Sequence, residues 1–183
     1  MSVARLPGGR TAVLLIDLQE KLLPVVDGGD TVLRRVERLA RGAAVLDVPL
    51  LVTEQYPQGL GRTVSALRRE LAEDVPRLEK TRFSAGGPKL LAQLRSWDAE
   101  AVVLAGVETH VCVLQTALDL LDAGFTVACC RDAVGSRRAG DAAAGTARME
   151  AAGVLPATVE SVLMELCGDA ATPGFRRLHP VIR

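Results

Sequence analysis

Short segments that read as strands alternate with segments of helical period along nearly the whole chain. Strands are expected at Thr11–Ile16, Pro49–Thr53, Leu78–Lys80, Ala101–Ala105, Thr126–Cys130 and Val154–Thr158. Helices are expected at Thr31–Leu46, Thr63–Leu71, Gly87–Trp97, Thr109–Ala123, Ala139–Ala152 and Val159–Cys167. The first helix carries a clean apolar stripe of Val32, Val36, Leu39 and Ala43. Continuous apolar runs such as Val102–Ala105 suit strands covered on both faces, and Gly124 and Gly153 stand where helices stop. Strand–helix alternation of this kind implies right-handed crossovers. The expected fold is therefore α/β: a single Rossmann-like domain over 1–183, with a six-stranded parallel sheet between two helical layers. No repeat, low-complexity stretch or linker divides it, and Gly8–Gly9 and the tail after Thr172 read as loosely held ends.

At 183 residues the chain builds one core and is short for two. Acids and bases balance at 22 each, and aromatic residues make up 3%, so neither nucleic acid nor an anionic membrane is favoured as partner. No apolar run reaches the length of a membrane span. The opening MSVARLPGGR lacks the apolar core of a signal peptide, so the mature chain is expected to begin near Met1. Four cysteines without a paired framework suggest a reducing, cytoplasmic setting. Cys129 and Cys130, adjacent on a strand, should face opposite sides as core residues; a redox pair is the alternative.

Chemistry concentrates in Ala101–Phe125, a strand, a turn with Gly106, and a helix that Thr109 is placed to cap. Cys112 falls in the first helical turn, where unpaired N–H groups and the helix dipole are expected to lower a thiol's pKa. A buried, inert cysteine is the competing reading. Asp17 ends the first strand, where ligands collect in open parallel sheets, although it could equally cap a turn. Lys80 is one of only three lysines among 22 basic residues, and a solvated lysine is its plainer reading. The loop Glu54–Gly61, with Pro57, Gly59 and Gly61, is expected to form a turn instead of a helix. It offers Gln55, Tyr56 and Gln58 to a small polar ligand, or serves only as an ordinary surface loop.

Five ordered blocks, LLIDLQEKLLP, VPLLVTEQYPQGLG, EKTRFS, AGVETHVCVLQTALDLLDAGF and RDAVGSR, resemble the isochorismatase-like cysteine hydrolases from about Thr11 to Gly168. The chain looks closest to the branch called isochorismatase domain-containing proteins. The resemblance implies a catalytic triad of Asp17, Lys80 and Cys112 that splits a small amide or related C–N bond through a thioester. It also implies a cis peptide at Val107–Glu108 and an oxyanion hole from the Glu108 and Cys112 N–H groups. Gln19, Gln55, Tyr56, Phe83 and Thr109 are the candidate substrate contacts, while the Glu108 side chain could be a mere surface acid. A homo-oligomer acting on a small molecule, with no cofactor, is the implied form. His110 lies two residues from Cys112, but helix geometry should splay the two apart.

Nicotinamidases in the superfamily carry an Asp and two histidines for a metal. Here His110 and His179 are the only histidines, which argues against a metal and against that activity. True isochorismatases lack the nucleophilic cysteine, so Cys112 counts against vinyl-ether cleavage. Two other functions stay open at this stage: a non-catalytic ligand-binding or scaffold protein of this fold, and a thiol redox sensor.

Overall fold

Strands β1 (Thr11–Ile16), β2 (Leu50–Gln55), β3 (Arg77–Lys80), β4 (Ala101–Val107), β5 (Thr126–Gly135) and β6 (Leu155–Ala157) form one sheet in a computed structural model describing residues 4–183. The expectation that the chain starts near Met1 falls outside the described residues. The strand order is β3-β2-β1-β4-β5-β6, and every neighbouring pair is parallel. The helices are α1 (Gly29–Val45), α2 (Pro57–Leu60), α3 (Ser65–Glu70), α4 (Pro88–Ser96), α5 (Leu114–Asp122), α6 (Ala139–Ala151), α7 (Val159–Cys167) and α8 (Pro173–Ile182).

Alternation within β1 divides the core. Val13 and Leu15 face a cluster built with Val36 and Leu39 of α1, Leu67 of α3, Leu163 of α7 and Leu178 of α8. Ala12, Leu14 and Ile16 face the other cluster, with Leu90 and Leu94 of α4, Leu120 of α5 and Met149 of α6. Two helical layers therefore cover the sheet, as the strand–helix alternation predicts. Each wholly buried Leu or Ile contributes about 1.5–3 kcal/mol.

The direction of winding explains which helix takes which face. From β1 the chain steps through α1 and α3 toward β3 on the first face. It then crosses back through α4, α5 and α6 toward β6 on the second. Right-handed crossovers require this change of face when the direction reverses. The reversal leaves a crevice at the carboxyl ends of β1 and β4, the place where such sheets bind ligands. Gly106 lets those two strands close up there. Its φ is 124°, and a Cβ would lie 2.7 Å from the Ile16 nitrogen, so no larger residue fits.

Several expectations change. Pro57–Leu60 forms a helical turn, not an open loop, because Pro57 sits at its start with φ already set and Tyr56 turns the chain at φ 39°. The tail after Thr172 is not loose. Thr172 caps α8 by accepting from the Phe175 N–H at 3.2 Å, and Leu178 is wholly buried. The amino-terminal segment is likewise tied down, by the Leu6 N–H donating to Glu165 and by buried Leu6. β4 and β5 run on to Val107 and Gly135, past the expected ends, because the two strands pair up to those residues.

Candidate functional site

Asp17 leaves β1 in a left-handed conformation, φ 53°, which a short polar side chain tolerates better than most. The turn directs its carboxylate into the sheet's crevice, where it is wholly buried. Thr53 Oγ1 of β2 donates to Asp17 Oδ1 at 2.6 Å, and Lys80 Nζ of β3 donates to Oδ2 at 2.7 Å. Buried charge is tolerable only when paired and hydrogen-bonded, and here both carboxylate oxygens have partners. Lys80 Nζ also donates to Gln55 Oε1 and to the Phe83 carbonyl, each at 2.8 Å. A lysine at the end of an edge strand thus has its ammonium held almost out of water.

The third group comes from β4. Beyond Val107 the peptide to Glu108 is cis, and Thr109–Val113 then form a π-helical turn ahead of α5. Cys112 lies on this turn, buried at 5% exposure, in the cluster that lines the second face. The charges of Asp17 and Lys80 both bear on its thiol. The three sequence-predicted residues therefore lie near enough to act on one another by charge, Asp17 and Lys80 at the ends of β1 and β3 and Cys112 on the turn that follows β4.

One property of the thiol reverses the expectation. Burial, followed by the negative charge of Asp17, pushes Cys112 up to about 12 from 9.0, and Lys80 only partly opposes them. Helix-end N–H groups do not outweigh burial of the sulfur together with the nearby carboxylate. The resting group is a neutral thiol beside the Asp17–Lys80 pair. Thr109 likewise does not cap the turn: its Oγ1 is buried and makes no hydrogen bond. The first residues of a helical turn have N–H groups without intrahelical partners. Val113 N–H makes the first long bond back to the Glu108 carbonyl, at 3.2 Å, which puts the Cys112 N–H among those early donors.

Glu108 is not a surface acid. It is buried, and its Oε1 accepts the Arg137 backbone N–H at 3.0 Å and Nε–H at 2.9 Å. Burial alone would raise its pKa, but the Arg137 hydrogen bonds and charge, with His110 adding, hold it below the ordinary 4.5. His110 turns aside: its Nδ1 pairs with Ser136 Oγ at 2.9 Å.

Among the candidate substrate contacts, Gln19 braces the chain. Its amide donates to the Gln55 and Gly61 carbonyls, and its Oε1 accepts the Gln55 N–H at 2.8 Å. Gln55 positions Lys80, and Thr109 is wholly buried. Tyr56 and Phe83 are the exposed ones, at 53% and 55%. Tyr56 and Gln58 line a cleft of about 700 Å³ that runs along the outer edge of β3 and reaches the triad only at Lys80. Thr53, Ser136 and Arg137 escaped the sequence reading, although they stand in the VPLLVTEQ and RDAVGSR blocks. Among the described residues no group of three or more His, Cys, Asp or Glu side chains is disposed to hold a metal, and no helix is long and apolar enough to cross a membrane. Cys129 and Cys130 lie in opposite clusters, as their adjacency on a strand requires.

The isochorismatase domain model matches residues 11–161. Isochorismatase domain-containing protein 2 of Xenopus laevis is 38% identical over 177 residues, covering 96% of this chain and 85% of the relative. The chain spans 61% of the length of isochorismatase domain-containing protein 1 of Salmo salar, also 38% identical over 94% of this chain. Among solved structures, the MAR1 ribonuclease of Caenorhabditis elegans superposes with a TM-score of 0.94 at 38% identity, covering 98% of this chain and 92% of its own. The YcaC product of Escherichia coli, described as an octameric hydrolase of unknown specificity, superposes at 0.90 with 26% identity over 99% and 92%. YcaC from Pseudomonas aeruginosa, described with covalent acrylamide, superposes at 0.92 with 27% identity over 100% and 92%.

Proposed function

The chain belongs to the isochorismatase family, and on that premise we propose that it is a cysteine hydrolase acting on a small amide or related C–N bond. The observation that carries this reading is the pairing of a wholly buried Asp17 with Lys80 at 2.7 Å, both acting on the Cys112 thiol. A buried ion pair is a poor source of stability, so its place beside a nucleophile calls for a chemical role.

Asp17 takes the thiol proton as Cys112 Sγ attacks the carbonyl carbon. The raised pKa of the thiol means that this proton moves during attack and not before it. The Glu108 and Cys112 N–H groups receive the oxyanion. As the C–N bond breaks, protonated Asp17 gives its proton to the leaving amine, and a thioester remains on Cys112. Asp17 then accepts a proton from water, whose oxygen attacks the thioester carbon; the C–S bond breaks, the acid leaves, and Asp17 returns the proton to Cys112 Sγ. Lys80 balances the carboxylate throughout. The ribonuclease reading attached to the Caenorhabditis elegans neighbour fits this site less well, because the Lys80 ammonium is already engaged by Asp17, Gln55 and Phe83. A homo-oligomer, for which the octameric YcaC is the precedent, and a cytoplasmic setting belong to the same proposal.

The test is acylation by 4-nitrophenyl acetate, followed by peptide mass spectrometry, and then a screen of small primary amides. The expected result is a hydroxylamine-sensitive acetyl group on Cys112 that Cys112→Ala lacks, and amide turnover that is lost in both Cys112→Ala and Asp17→Asn. Acetylation confined to other residues, or amide turnover indifferent to Asp17→Asn, would overturn the assignment.

A further inference from the structure

The turn that carries the proposed oxyanion donors is fastened from one side by two consecutive residues that follow β5. Ser136 Oγ pairs with His110 Nδ1 at 2.9 Å, and Arg137 holds Glu108 through its backbone N–H and its Nε–H. Behind the turn, Gly145 of α6 lies so close that a Cβ there would come within 2.7 Å of His110 Cα. The Glu108 carboxylate is buried, whereas the Arg137 side chain is 61% exposed. Arg137 therefore does no packing work that would explain its place. What it does is hold a buried acid on the residue that bears one oxyanion N–H.

We propose that the Arg137–Glu108 pair is the positioning device of the oxyanion hole, a clamp that sets the Glu108 and Cys112 N–H groups against the developing charge. The inference rests on the cysteine-hydrolase reading above. Two donors from one residue converge on one carboxylate oxygen and fix direction as well as distance. The clamp touches neither the thiol nor its base: Asp17 is held by Thr53 and Lys80, on the other side of β1 from β4. Thiol activation and oxyanion stabilisation are thus supported by different contacts, and each can be disturbed separately.

Two reagents separate them. Iodoacetamide alkylates sulfur by displacement at a saturated carbon, forming an S–C bond and releasing iodide, and no oxyanion develops. In 4-nitrophenyl acetate, Sγ attacks a carbonyl: an S–C bond forms, the C–O bond to 4-nitrophenolate breaks, and the thiol proton passes to Asp17. In Arg137→Ala, acylation of Cys112 is expected to fall at least tenfold while alkylation stays within about twofold, since losing one oxyanion donor outright costs about 10²–10³-fold. Glu108→Ala should show the same split, and the double variant should lose no more than either single one, because both remove one contact. Equal acylation in wild type and Arg137→Ala would overturn the clamp and leave the triad standing. So would a parallel loss of acylation and alkylation, the mark of a general collapse of the site. A wild-type Cys112 that is alkylated but never acylated would remove the hydrolase reading and the clamp with it.

Discussion

Replacing Asp17 by Asn and Lys80 by Met should move the ionisation of Cys112 in opposite directions. In the wild type, burial and the Asp17 charge hold the thiol at about 12 against an ordinary 9.0. At about 1.36 kcal/mol per pH unit, that rise disfavours the thiolate by about 4 kcal/mol, or roughly a thousandfold at neutral pH. Asp17→Asn removes the neighbouring anion and leaves Lys80 without its countercharge, so ionisation should become easier by about 1–3 pH units. Lys80→Met removes the only one of the two charges that favours thiolate, so ionisation should become harder. The assay is the second-order rate of iodoacetamide alkylation at Cys112, measured peptide by peptide between pH 6 and the alkaline limit of folding. The wild-type rate should still be climbing where a free thiol has levelled off. Asp17→Asn should react faster than wild type under mildly alkaline conditions while losing amide hydrolysis, whose leaving amine needs the Asp17 proton; this separates a reactive sulfur from a working site. A wild-type profile that levels near 9, or a shift in the same direction for both variants, would refute the electrostatic account.

Three further outcomes follow from other contacts. Thr53→Val removes the 2.6 Å hydrogen bond to Asp17 while keeping the side chain's shape, and should destabilise the protein by about 1–3 kcal/mol in urea titrations. Leu178→Ala, in the docked carboxyl-terminal helix, should cost about 2–5 kcal/mol; a midpoint unchanged from wild type would mean that this helix does not close the core. Because Glu108 titrates below its unfolded value of 4.5, it contributes stability that is present above that pH and lost as pH falls through the lower folded value. Melting temperatures measured from pH 6 to pH 3 should therefore decline less steeply in Arg137→Ala than in wild type.

Elements of this fold are legible in the chain because they are decided locally. A helical stripe such as Val32, Val36 and Leu39, or an apolar run such as Val102–Ala105, needs only neighbouring residues to declare itself, and alternating strands and helices wind in one hand. That much places Asp17 and Lys80 at the ends of strands and Cys112 in the helical turn after one. It misjudged Pro57–Leu60 and the tail after Thr172, where the decision lay with Pro at a helix start and with a cap on the last helix.

What the three residues are to one another came only from tertiary structure. Asp17 and Lys80 are 63 positions apart, and their 2.7 Å contact depends on β3, β2 and β1 lying in that order. The state of Cys112 follows from the same packing. Local reasoning saw a helix start and lowered its pKa, whereas burial and a carboxylate from another strand raise it. Glu108 and Arg137, 29 positions apart, make a buried pair for the same reason. Electrostatic energy depends on distance and burial, neither of which a linear sequence records, whereas helical and strand periodicity are properties of the sequence itself.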